Sequence, residues 1–155
     1  MEQNTPTPSD NSLEKVILQL IGNLYQMYYR AHSAHWNVEG WDFTALHGFF
    51  GNIYEDVFDS IDDFAEALRQ HNKVTPANFS GVIGKASFTE GSDAKALIED
   101  LISVNTKVML ILSAAREAAE KAEDFGLANK VQDREAAHLK WDWQLRSHLR
   151  GANSA

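Results

Sequence analysis

The stretch DFTALHGFFGNIYEDVFDSIDDFAEALRQH, residues 42–71, decides the fold. Phe43, Leu46, Phe50, Ile53, Val57, Ile61, Phe64 and Leu68 recur at steps of three and four, which places them on one helix face. Asp42 is suited to cap the helix. Some ~30 residues of helix extend ~45 Å, well beyond the mean globular helix. A helix this long belongs to a bundle or a coiled coil.

Upstream, residues 12–38 carry a second stripe of Leu13, Ile17, Leu20, Leu24, Tyr28, Ala31 and His35, with Ser12 as a candidate cap and Gly40 breaking the pattern. Downstream, residues 72–92 hold Pro76, Gly81, Gly84 and Gly91, with one short helix of two or three turns expected over 77–86. A third long helix is expected over 93–123, with Leu97, Leu101, Val104, Val108, Ile111, Ala115 and Ala118 inward. A fourth is expected over 127–150, carrying Val131, Ala137, Leu139, Trp141, Trp143, Leu145 and Leu149. No alternating run bounded by turn residues suggests a strand. The expected fold is an all-α antiparallel four-helix bundle, with a crossover between helices two and three. Residues 1–11 are polar, proline-containing and free of Lys and Arg, and are expected to be a disordered tail. Residues 12–150 form the domain, and 151–155 a short C-terminal tail.

Composition narrows the function. The chain has 155 residues, enough for one domain that buries roughly 70% of its unfolded surface. It has no Cys, so disulfides, thiolate zinc sites and Cys nucleophiles are excluded. No apolar run reaches the ~20 residues of a membrane span, and residues 1–12 lack the pattern of a signal peptide. A cytoplasmic location is expected. The net charge of −8 disfavours nucleic acid and anionic membranes and suits cations.

Candidate metal ligands follow from helix geometry. His35 ends the first stripe and His47 lies one turn into the second helix, so a short turn at 38–41 folds the two imidazoles together. Asp62 and Glu66, four residues apart, share a helix face. Two imidazoles and two carboxylates suit iron, manganese or zinc. His47 and Asp62 are 15 residues apart on one helix, ~22 Å along its axis, whereas ligands of one ion lie within ~2–2.2 Å of it. One chain cannot close such a site; two chains related by a two-fold axis across the second helix can, twice over.

The elements His35-Trp36-Asn37-Val38-x-Gly40, Phe43-x-x-Leu46-His47 and Asp62-x-x-x-Glu66, spaced by 12, 15 and 4 residues, resemble the ferroxidase signature of the Dps family of mini-ferritins (DNA protection during starvation). The short crossover helix and Trp143 near the end of the last helix fit the same family, over about residues 12–150. The resemblance implies a ferritin-like bundle assembled into a hollow dodecamer. It implies Fe(II) bound between two-fold-related subunits, oxidised by hydrogen peroxide in preference to dioxygen, and stored as ferric mineral against oxidative damage. By position, His35 and His47 are ligands from one subunit, Asp62 and Glu66 from its neighbour, and Trp36 is a radical quencher beside them.

The chain departs from the family pattern in several places. Where an Asp is common one turn after the second His, this chain has Gly51, with Glu55 and Asp56 as distant substitutes. Ala67 stands where an Arg usually follows the signature Glu, removing a common salt-bridge partner. Phe125 and Asn129 stand where pore acids are frequent, with Asp124 and Asp133 retained. The tail without Lys argues against the tail-mediated DNA binding of many members.

These departures keep an alternative open: a Dps-like structural shell with weak or absent ferroxidase activity, its four polar residues a relic. Asp63 in place of Asp62, and His32 as an added ligand, are further alternatives. His71, His138 and His148 have no matching partner and default to the surface. A di-iron centre inside one bundle ranks last, because Glu135-x-x-His138 has no second copy.

Overall fold

A computed structural model of the chain describes residues 8–83 and 88–152. It contains helices α1 (Pro8–Asn37), α2 (Phe43–Gln70), α3 (Phe79–Ile83), α4 (Ala94–Lys121) and α5 (Phe125–Ala152). α1 packs against α2 and α4, and α4 against α5, so two long hairpins face each other across the core. α3 lies in the crossover, against α1. An isolated parallel bridge joins Glu39 to Asp93 and ties the α1–α2 turn to the end of the crossover.

The stripes become the core. From α1, Leu13, Ile17, Leu20, Leu24 and Ala31 are buried; from α2, Leu46, Phe50, Ile53, Val57, Ile61, Phe64 and Leu68 are buried. Each such large side chain stabilises the fold by roughly 1.5–3 kcal/mol relative to exposure. α4 supplies Leu97, Leu101, Val104, Val108 and Ala115, and α5 supplies Val131 and Leu145. Phe43 and Leu139, expected inward, are exposed. Phe43 opens α2 beyond the end of the core, and Leu139 shares an outward face of α5 with exposed Trp143, four residues on.

The helix ends correct the expected boundaries. α1 begins at Pro8, so residues 8–11, expected in the tail, are helical. Proline suits a first turn, where its missing N–H would have no partner. Residues 1–7 and 153–155 lie outside the described residues; 151 and 152, expected in the C-terminal tail, close α5. Asp42 stands at the N-cap of α2 without a side-chain capping bond, whereas Asp93 caps α4 by accepting from the Ala96 N–H at 2.9 Å. Gly40 has φ +121°, a conformation that only glycine adopts without strain, and this reverses the chain between α1 and α2.

His138, expected on the surface, is fully buried. Its Nδ1 lies 2.7 Å from Asn105 Oδ1 on α4, and Asn105 Nδ2 donates to the His138 carbonyl at 3.0 Å. The amide satisfies Nδ1 and the backbone carbonyl, while the buried Nε2 has no hydrogen-bond partner among the described residues. A clasp between α2 and α5 stands beside it: Asp56 accepts from the Arg134 guanidinium, and from Trp141 Nε1 at 2.7 Å. Desolvation raises the Asp56 pKa, but the bonds from Arg134 and Trp141 and the Arg134 charge outweigh it and hold the carboxyl below its ordinary value.

Candidate metal centre

The tight α1–α2 turn brings the last turn of α1 onto the first turns of α2, and His35 meets His47 there. Their rings stack with centroids 3.7 Å apart and planes 20° off parallel. His35 Nδ1 lies 2.7 Å from the His47 carbonyl oxygen, and His47 Nδ1 lies 2.7 Å from the His35 carbonyl oxygen. A carbonyl only accepts, so each ring carries its proton on Nδ1 and donates it to the other residue's backbone. In the neutral rings both Nε2 atoms therefore keep a lone pair. This is the arrangement that metal-binding histidines use, one nitrogen anchored and the other presented to the ion.

Aromatic rings hold the pair in place. Phe43 stacks on His47 at 5.0 Å, and Tyr54 meets His35 edge-on at 5.2 Å. His32 is wedged between Trp36 (3.9 Å) and Tyr54 (4.2 Å), with its Nδ1 3.2 Å from the Tyr28 hydroxyl. Desolvation, and then the neighbouring His35, lower the His32 pKa. Its ring centroid lies 6.4 Å from that of His35, so it stands beside the imidazole pair rather than in it. Trp36 is exposed next to it.

Asp62 and Glu66 are exposed on α2 and make no ion pair or side-chain hydrogen bond with any described residue. Asp63 differs, since Lys130 Nζ on α5 lies 3.6 Å from its Oδ1. α2 is one continuous helix from Phe43 to Gln70, so within a chain the two acids stay ~22 Å along the axis from His47. Among the described residues, no three His, Asp or Glu side chains of one chain converge as a metal site would require. The structure thus stacks His35 on His47, leaves Asp62 and Glu66 exposed four residues apart on α2, and keeps the two pairs apart.

Other candidates fall away on geometry. Glu135 pairs with Arg116 at 3.1 Å while His138 bonds Asn105, so the Glu-x-x-His spacing does not build a centre within the bundle. Asp56 is committed to Arg134 and Trp141 and does not replace a carboxylate at position 51. Asp124, retained near the start of α5, accepts from the Leu127 N–H at 3.0 Å and lies 2.7 Å from His71 Nε2. Sequence reasoning missed the reciprocal Nδ1–carbonyl bonds; the signal was a His on each side of a turn short enough to stack them.

A ferritin-like domain family matches residues 14–154. A DNA protection during starvation protein of Brevibacillus brevis is 30% identical over 132 residues, covering 83% of this chain and 89% of its own length. General stress protein 20U of Bacillus subtilis is 26% identical over 140 residues, covering 88% of this chain and 97% of its own length. The crystal structure of a Dps protein from Bacillus brevis superposes with a TM-score of 0.85 at 25% identity, over 94% of this chain and 99% of that one.

Proposed function

Because the chain belongs to the Dps family of ferritin-like proteins, we propose that it is a ferroxidase of that kind, binding and oxidising Fe(II) in the seam between two copies. His35 and His47 of one copy supply Nε2 donors; Asp62 and Glu66 of a two-fold-related copy supply carboxylates. The observation that carries this reading is the reciprocal hydrogen-bonded pair, which leaves both Nε2 atoms as free donors. The exposure of Asp62 and Glu66 supports it, since uncommitted acids on an outer helix face can serve a neighbour. Carboxylates favour Fe(III) over Fe(II), while imidazoles add affinity for the divalent ion. The oxidant is hydrogen peroxide in preference to dioxygen.

The remaining family properties complete the proposal. The copies close into a dodecameric shell that stores ferric mineral and protects against oxidative damage. Among the described residues no helix is long and apolar enough to cross a membrane, and we place the shell in the cytoplasm. DNA is not held through residues 1–11, which contain no Lys or Arg.

The test is the ferric absorbance rise when peroxide is added to protein loaded anaerobically with Fe(II). His47→Ala and Asp62→Ala are each expected to abolish it while the shell still assembles. Wild-type kinetics in both variants would refute the site.

A further inference from the structure

Gly51 lies one turn beyond His47 and is buried. A Cβ built there would lie 3.2 Å from His35 Nδ1 and 3.4 Å from His35 Cε1. The imidazole of His35 thus rests on bare α2 backbone, with its Nδ1, the atom that bonds the His47 carbonyl, nearest the missing side chain. We propose that Gly51 makes this a one-ion site: it seats the imidazole pair, and it removes the α2 carboxylate that a second ion beside the pair would need. The proposal rests on the seam described above.

Counting donors supports it. One chain offers two imidazoles at this place, and no third His, Asp or Glu joins them among the described residues. Asp56 is held by Arg134 and Trp141. Glu55 is exposed and ~12 Å along the axis from His47. The second copy adds Asp62 and Glu66. Two-ion carboxylate centres in bundles use about six side-chain groups, four Glu and two His. Four groups and water complete the shell of one first-row ion; shared between two ions, they fall two carboxylates short of the six-group set even if both acids bridge.

The test uses Co(II), which is counted without turnover, on assembled protein by anaerobic equilibrium dialysis. Ions retained equally by His47→Ala are subtracted as surface binding. The expected result is one His47-dependent Co(II) per chain. Two such ions per chain would overturn the one-ion inference and leave the seam standing. No His47-dependent ion would remove the seam itself. Gly51→Ala is expected to weaken the bound Co(II) by about 10- to 100-fold, the range for losing an outer-shell constraint, and to shift its visible absorption bands. Unchanged affinity and bands would show that Gly51 does not seat His35. If that variant fails to assemble, the count on the wild-type protein decides.

Discussion

His138 shows how one buried titratable ring shapes the response of the protein to acid. Burial, and then the nearby Arg134 charge, lower its pKa to about 3, against 6.5 for an ordinary His. Above pH 6.5 the ring is neutral in both folded and unfolded chains, and it adds no pH dependence. Between pH 6.5 and about 3 the unfolded chain takes up a proton that the folded chain refuses. Stability therefore falls as pH falls through this window, by at most ~1.4 kcal/mol per pH unit. His138→Gln is expected to flatten the melting temperature across the same window; an unchanged slope would mean that other groups set it. This ring was not legible in the sequence, because its partner lies on another helix, 33 residues away. The trace it left was Asn105, a polar residue inside the stripe that runs through Leu101, Val104 and Val108. His35 and His47 were legible because a short turn and helix periodicity suffice to bring them together. Their tautomer was not, since it depends on two carbonyl directions that only the folded turn fixes.

Among the elements, α3 depends on a single glycine of α1. A Cβ on Gly22 would lie 2.3 Å from the Val82 carbonyl oxygen, a backbone atom that cannot rotate aside. Gln26 Nε2 reinforces the contact by donating to the Ile83 carbonyl at 2.9 Å. Gly22→Ala is expected to push α3 off α1 and destabilise the protein by ~1–3 kcal/mol, the usual range for overpacking. Hydrogen exchange should show protection lost in α3 and its flanks first, with the cores of α2 and α4 retained; uniform loss, or none, would contradict the contact. The long helices were readable because their apolar stripes repeat over many turns, and α3 was readable only as a helix over 77–86, longer than the five residues Phe79–Ile83 found; 84–87 lie outside the described residues. What α3 packs on was not readable, since that contact is a carbonyl meeting bare backbone. A glycine inside a long helix costs about 1 kcal/mol relative to Ala and so calls for a packing reason.

For the whole molecule, the decisive quantity is the length of α2. A continuous helix from Phe43 to Gln70 fixes the distance between the imidazole pair and the acids, so no side-chain motion within one chain closes it. The seam reading therefore predicts complementation between two inactive variants. Consider chains with His35 and His47 both replaced by Ala, co-expressed with chains in which Asp62 and Glu66 are both replaced by Ala. Each variant alone has no complete site. In a mixed pair, one seam site combines both defects and is dead. The other combines the intact imidazoles of the acid variant with the intact acids of the His variant. Random pairing in equal amounts makes half of the pairs mixed, each with one good site of two, so about one quarter of the wild-type ferric absorbance amplitude should return. If each chain built its own site, mixing would restore nothing, because every chain carries a defect. Recovery in the mixture, with no activity when the separately assembled variants are combined afterwards, would locate the chemistry between chains.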